Sequence, residues 1–516
     1  MLKALVKSIP NYFFLFFLRF KLNKYYYTKF RDLNFKENDF TNYKIIKYYV
    51  LKENYIYNLS ISNIHSFDFL FYYQKIGGKR GINLSKKNIF AWFKKFKFYN
   101  NFPWTDDYPS RRFINIVYNY DFICSISNDD EKKQIDYILN FHIKRIIFEI
   151  NRKINNNISS YQILALSLVE CLKNNINKIN LKKIQSAINS QIDEISIHKS
   201  YNMLEHAKFL NNLIETKNIF LFLNLEIPNF LSNNILAMTS LLKTYKHHDS
   251  SLPLFNGCNN NHNEKIQNIS KREKFLKTVP LTKFKNGIAV YKDYHKALFF
   301  DVVQPTLHKY HNELSASTLS IEISASKEKI ITNCGGTESS GKNPAYLKYS
   351  AAHSTIILNN TNITEIKEND SNKLFPKEVF FESKDEDDKL IMSGTHNGYF
   401  NKYKKICKRQ LVINKNKNLF KGEDIIISTK SKLEKTIFHI RFHLMPGIST
   451  TITENKKSVI MKTSKNNIWM FRSDNEILIE KSIYVRNDIA LESSQILITG
   501  IVSSLKNKVK WSLEQI

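Results

Sequence analysis

The feature that most constrains this chain is a change in the period of its apolar residues about halfway along. From Lys132 to Leu242 they recur at helical spacing, as in Ile135, Ile138, Leu139 and Phe141, then Ile163, Leu164, Leu166 and Leu168, then Met203, Leu204, Phe209, Leu210 and Leu213. Asn-rich breaks such as Asn155 to Asn157 and Asn174 to Asn177 separate these stretches and favour turns and caps, which predicts antiparallel helical hairpins. A polar stretch from Asn256 to Glu264 follows. Beyond it come short alternating segments rich in β-branched residues: Gly287 to Tyr291, Leu319 to Ile323, Ser354 to Leu358, Asp424 to Ser428, Ser458 to Met461 and Gln495 to Ile498. Many such segments predict an antiparallel β-sandwich. A length of 516 residues exceeds what one core supports, so the expected division is an N-terminal segment over 1–60, a helical domain over 61–275 and a sandwich over 276–516.

The 77 Lys and Arg outnumber the 47 Asp and Glu, leaving a formal charge of +30. Such a surplus attracts polyanions, but a chain this rich in Lys, Asn, Ile, Phe and Tyr also fits a nucleotide-composition bias, and both explanations stand. Nucleic acid is the least supported partner, because no zinc-finger spacing, RNA-binding aromatic motif or helix-turn-helix pattern accompanies the charge. Gly336 and Gly341 precede Lys342 but then Asn343, in a region that reads as a β turn, so no phosphate-binding loop is expected there. Cys124, Cys171, Cys258, Cys334 and Cys407 are odd in number and widely spaced, which points to neither a disulfide framework nor a zinc ribbon. Lys3 and Lys7 before an apolar run from Tyr12 to Leu18 resemble the start of a secretory signal without its cleavage site. The run falls short of the ~20 residues that cross a bilayer, so no transmembrane span is expected and export stays open.

Read in order, Ala316-Ser-Thr-Leu-Ser-Ile-Glu322, Ile330-Ile-Thr-Asn-Cys-Gly335, Ala351-Ala-His-Ser-Thr355 and Gly394-Thr-His-Asn-Gly-Tyr399 resemble the C-terminal domain of heparinase II/III-like proteins. The resemblance continues through Phe420-Lys-Gly-Glu-Asp424, Arg441-Phe-His-Leu-Met-Pro-Gly447, Trp469-Met-Phe-Arg472 and Ser494 to Gly500. In the helical half it rests on Ile64-His-Ser-Phe-Asp68, on Trp104 with Tyr108-Pro-Ser-Arg-Arg112 and Asn115, and on Leu252-Pro-Leu-Phe-Asn256. It implies an α/α toroid of helical hairpins followed by an antiparallel β-sandwich, a groove between them, and β-elimination at acidic sugars. The implied place of action is the cell envelope or periplasm.

Elimination at a uronate needs the carboxylate neutralised, the C5 proton removed and the leaving oxygen protonated. The family binds the carboxylate with a Gly-Asn-His step that corresponds to Asn156-Asn157-Ile158, so Asn157 stays and the histidine is lost. Its Ser-Pro-x-Tyr-His segment corresponds to His198-Lys-Ser-Tyr-Asn202, again with Tyr201 kept and the histidine gone. If this stretch is helical, His198 lies near Tyr201 and partly substitutes. The resemblance thus gives Tyr201, Asn157 and His353 as catalytic candidates, and Arg111, Arg112, His198, Asn202, His396 and Arg441 as substrate-binding ones. Each has a plainer reading: Asn157 as a helix cap, Tyr201 as packing, Arg111 and Arg112 as ion-pair residues, and His396, Arg441 and His443 as ordering the sandwich.

The family's His-x-His pair reads Glu313 and Ser315 here, its aspartate ligand reads Asn333, and only His353 persists. One imidazole does not make a zinc site, so neither metal nor other cofactor is expected; His308 and His311 either rebuild a site or are solvated. Two functions follow: a lyase for acidic polysaccharide, or a catalytically degenerate relative that binds acidic glycans of the cell envelope.

Overall fold

The computed structural model describes residues 61–97, 103–104, 107–153, 158–172, 178–222, 224–261, 266, 269, 287–304, 310, 314–337, 344–364, 376, 378–430 and 435–516. Helices come first: α1 (Ile61–Ser66), α2 (Phe69–Ile76), α3 (Gly78–Phe96), α4 (Tyr108–Tyr118), α5 (Tyr120–Cys124), α6 (Asp129–Arg152), α7 (Ser160–Leu172), α8 (Lys178–Gln191), α9 (Met203–Phe222) and α10 (Asn229–Thr244). Helix α6 shows why they form. Asn128 and Glu131 make a reciprocal capping box (Glu131 N–H to Asn128 Oδ1, 2.8 Å; Asn128 N–H to Glu131 Oε2, 3.2 Å), and three acids occupy the first turn. Its buried face is Ile135, Ile138, Leu139, Ile143 and Ile146, as the spacing predicts.

The helical unit has an unusual polar centre. Arg112 is fully buried, with its guanidinium 4.1 Å from the Trp92 ring and 4.7 Å from that of Trp104. It donates to His142 Nε2 at 2.9 Å and to the carbonyls of His65 and Pro103 at 2.6 and 2.7 Å. An aromatic sandwich with internal acceptors lets a cation sit in a core without a carboxylate.

The strands are β1 (Gly287–Lys292), β2 (Lys296–Val302), β3 (Ile321–Ala325), β4 (Glu328–Thr332), β5 (Ile356–Leu358), β6 (Val379–Asp385), β7 (Lys389–His396), β8 (Lys405–Asn414), β9 (Leu419–Ser428), β10 (Ile437–Leu444), β11 (Ser449–Ile452), β12 (Ser458–Lys462), β13 (Ile468–Ser473), β14 (Ile477–Arg486), β15 (Ile489–Ile501) and β16 (Lys506–Gln515). One sheet runs β1-β2-β3-β4-β10-β15-β14 with β5 beside β10, and the other runs β11-β12-β13-β16-β9-β8-β7-β6. All pairings are antiparallel among the described residues. The strict alternation of β8, whose residues Cys407, Leu411 and Ile413 face inward, is what a sheet with one wet face requires. Phe300, Phe438, Phe442, Trp469, Phe471 and Trp511 fill the space between the sheets. Arg409 is buried there too, bidentate on Asp424 (Nε–Oδ1 2.6 Å, Nη2–Oδ2 3.0 Å).

Two compact units result: residues up to Ile192 with Lys208–Ile235, and Asp193–Ala207 with Leu236–Ile516. The expected boundary near 275 lies outside the described residues, and the second unit includes chain from the helical half, 193–207 and 236–261. No helix among the described residues is long and apolar enough to cross a membrane.

Candidate functional site

Tyr201 lies in a turn, not in a helix. Its N–H donates to the His198 carbonyl at 2.9 Å, and its φ is 50°, a left-handed conformation that costs a tyrosine of order 1–3 kcal/mol. The cause is the next residue: Asn202 Oδ1 accepts from the N–H groups of Leu204 and Glu205 (2.9 and 3.3 Å), so Asn202 caps α9 and everything before it falls outside the helix. The helical placement of His198 is thereby corrected. His198 instead accepts at Nδ1 from the Ser200 hydroxyl (2.8 Å) and N–H (3.3 Å), which places its proton on Nε2. Its own N–H donates to His206 Nδ1 at 3.3 Å, while His206 Nε2 donates to the Met238 carbonyl at 2.9 Å. His198 and Asn202 are both buried, their polar atoms engaged in holding the turn.

Asp193 completes the turn. Its Oδ1 accepts from the N–H groups of Ile195 and Ile197 (3.1 and 2.8 Å), and its side chain hydrogen-bonds Tyr201. Burial lifts the Asp193 carboxyl to about 6 against those backbone donors. Burial, then the Asp193 charge and hydrogen bond, push the Tyr201 phenol above its ordinary range, so it stays protonated at neutral pH. Sequence reasoning missed Asp193; an acid two to four residues ahead of amides it can accept from is the only local signal.

Asn256 ties this turn to the sandwich. It too is left-handed, at φ 52°; its Oδ1 accepts from Ser315 N–H at 3.0 Å and its carbonyl accepts from Asn202 Nδ2 at 3.0 Å. Ser315, where the family has a histidine, is buried with no partner for its hydroxyl. The chain leaving it lies against 348–350, through Ala316 N–H to the Lys348 carbonyl and Ser350 Oγ to the Ala316 carbonyl. His353, three residues on, is 1 % exposed, and neither ring nitrogen makes a well-formed hydrogen bond. Burial pushes it down to about 4, with the Glu322 carboxylate opposing.

Glu322 is a second residue whose role the sequence did not disclose. Fully buried, it accepts at Oε1 from the N–H groups of Leu254 (3.1 Å) and Asn333 (3.0 Å), and at Oε2 from Lys329 (3.0 Å) and His247 (2.9 Å). Asn333 also gives its amide to Glu322 and accepts from Ser354 N–H at 2.9 Å. Its side chain is thus spent on the hub beside His353. An imidazole, an amide and a hydroxyl do not fit zinc, which takes three or four His, Cys or carboxylate ligands, and no group of three such residues occurs among the described ones. Asn157, His308, His311 and Glu313 lie outside the described residues.

The remaining candidates are dispersed. Arg111 is paired with Asp68 at 2.5 Å and lies over the Tyr161 ring. Arg112 is not an exposed oxyanion binder, for the burial described above leaves it no solvent-facing donor. His396 is likewise interior: 1 % exposed, accepting from Gly398 N–H at 3.0 Å, and pushed down to about 3 by burial, so it orders the sandwich and presents no atom to a ligand. Arg441 pairs with Glu480 at 3.2 Å, and His443 bonds Ser482 and the Ala351 carbonyl.

Residues 280–512 match the family model "Heparinase II/III-like, C-terminal". No curated protein matches the sequence. Among solved structures, heparinase III superposes with a TM-score of 0.68 at 11% identity over 100% of this chain and 91% of that one. A second heparinase III gives 0.65 at 12% identity over 100% and 90%. The heparan sulfate lyase HepC from Pedobacter heparinus gives 0.59 at 11% identity over 97% and 87%. At such identities the likeness establishes fold and not activity. Residues 280–512 therefore belong to the heparinase II/III-like C-terminal family, in a chain whose fold, an α/α toroid followed by an antiparallel β-sandwich, is that of heparinase III.

Proposed function

We propose that this protein is a polysaccharide lyase of the cell envelope or periplasm that cleaves uronate-containing chains by β-elimination. The observation that carries the reading is Tyr201, a buried phenol held in a strained left-handed turn by His198, Asn202 and Asn256, with Asp193 against it. Strain of this kind persists only where surrounding contacts over-determine it, and such positions cluster at active sites. Burial and Asp193 keep the phenol protonated, and Tyr201 exchanges protons: it gives its proton to the leaving glycosidic oxygen as the C4–O bond breaks, and the same oxygen takes the C5 proton, which restores the phenol. Asn157 is assigned to the substrate carboxylate, where an amide donor stabilises the charge that develops as the C5 proton departs. His353, a neutral and buried imidazole with neither ring nitrogen in a well-formed hydrogen bond, is the sandwich's contribution to the site.

One observation favours a second reading. The histidines that the family has and this chain lacks are replaced by Ile158, Asn202, Glu313 and Ser315, none of them an imidazole, and Asn202 is committed to capping α9. A protein that keeps the tyrosine and loses these histidines would bind acidic glycan without turning it over. Ultraviolet absorbance of the new C4=C5 bond, followed on a panel of uronate polysaccharides with wild type and Tyr201→Phe, separates the two. A signal lost in Tyr201→Phe supports the lyase; silence on every substrate, with glycan binding intact, supports the binding protein.

A further inference from the structure

We propose that the outer face of the second sheet, over β8, β9, β16 and β13, is a separate docking surface for an anionic polysaccharide. The inward-facing residues of these strands (Cys407, Leu411, Phe420, Trp511, Leu513 and Phe471) fill the sandwich core, so the alternate residues face water. Across this face lies an open depression of about 470 Å³, whose lining includes Gln410, Lys421, Glu423, Arg472, Lys510 and Ser512.

Its charge is not evenly balanced. Each acid there already has a partner: Glu423 pairs with Lys508 at 3.3 Å, Glu514 with Arg472 at 3.2 Å, and Asp474 accepts from the Lys510 N–H at 3.0 Å. Lys408, Lys421 and Lys510 make no ion pair or side-chain hydrogen bond among the described residues. The pairing register spreads these three amines in a line. Lys408 lies opposite Ile425, Lys510 opposite Glu423 and Lys421 opposite Ser512, so they occupy three successive outward rows. Rows on one face repeat every ~7 Å and strands every ~4.8 Å, so the amines span roughly 14 Å along the strands while zigzagging over three of them. Gln410 and Ser512 sit among them as uncharged donors and acceptors.

A row of unpaired amines interleaved with an amide and a hydroxyl suits a chain that carries regularly spaced carboxylates or sulfates between sugar hydroxyls. The face lacks exposed aromatic platforms of the sort that stack nucleic-acid bases, since Phe471 and Trp511 are buried. The surface would hold a polymer while its reactive end is processed elsewhere, and in the choice of partner it rests on the acidic-polysaccharide reading above.

The test is binding of the full-length protein to a heparin-coated surface at several salt concentrations, with Lys408→Gln/Lys421→Gln/Lys510→Gln beside wild type. The expected result is binding weakened at least about tenfold, with a shallower dependence on salt as ion contacts are lost. An unchanged unfolding midpoint, expected because these lysines make no ion pair or side-chain hydrogen bond among the described residues, establishes that the variant is folded. Equal binding by variant and wild type overturns the proposal. So does lysine-dependent binding of duplex DNA or phosphatidylglycerol vesicles as tight as that of heparin, which would make the face a site for another class of partner. Lysine-dependent heparin binding without lyase activity sinks the enzymatic reading alone, whereas lyase activity with unaltered binding sinks this one alone.

Discussion

Replacing Glu322 by Gln tests whether the buried hub sets the stability of the sandwich unit. Glu322 and Lys329 are 0 and 3 % exposed, and among the described residues the Lys329 ammonium has only the carboxylate and the Leu252 carbonyl (3.2 Å) as hydrogen-bond acceptors. His247 is not a second cation: burial first, then the Lys329 charge, push it down to about 4, so it gives a neutral N–H to Glu322. A glutamine would keep the shape and the acceptor for Leu254 and Asn333, but would turn a donor toward Lys329 or His247 and take away the carboxylate in direct contact with the ammonium, leaving it only the charge of Asp249, which makes no ion pair with it. Removing one partner of a buried pair costs about 3–5 kcal/mol. The double variant Glu322→Gln/Lys329→Met should recover about 1 kcal/mol or more of that loss, because it removes the stranded charge.

The pH dependence gives an independent estimate. Contacts with Lys329 and His247 outweigh burial and hold the Glu322 carboxyl at about 2, below its ordinary 4.5. A depressed carboxylate stabilises the fold above the unfolded value and loses that contribution as pH falls through 4.5 toward 2, roughly 3 kcal/mol in all. Glu322→Gln should lack this component. Urea-dependent hydrogen exchange, read on peptides covering β3, β4 and residues 247–254, reports the local opening free energy directly. A loss below about 1 kcal/mol, or a double variant no better than the single, would refute the reasoning.

Two further expectations concern the same unit. His206 and His353 are pushed down to about 4, and His396 and His443 to about 3, all chiefly by burial. Below pH ~6.5 the unfolded chain takes up protons that the fold refuses, so each should subtract roughly 1.4 kcal/mol per pH unit down to its folded value; the thermal midpoint should fall from pH 6.5 to 4, less steeply in His396→Phe. Gly422→Ala should destabilise by about 1–3 kcal/mol or more in thermal unfolding, because the added methyl would lie 2.1 Å from Trp511 Cε2 on the facing strand.

The sequence by itself determined the order of architecture and most of its elements. The helical spacing at Ile135, Ile138 and Leu139 became the buried stripe of α6, and the alternation at Ser458 to Met461 became β12, because periodicity records which face must leave water; Gly287 to Tyr291 became β1, whose first four residues are all buried. The resemblance singled out Tyr201 as a candidate by its place in the chain. Only tertiary structure decided what surrounds it. The partners of Glu322 come from Leu254, 68 residues away, and His247, 75 away, and the anchor of the Tyr201 turn is Asn256, 54 residues from Asn202. No local pattern encodes such distances. The resemblance gives Arg112 and His396 as substrate-binding candidates, yet both are interior, Arg112 between aromatic rings and carbonyl acceptors and His396 accepting from the Gly398 N–H. Whether a polar side chain serves a ligand or the fold depends on which distant backbone atoms fold back to meet it.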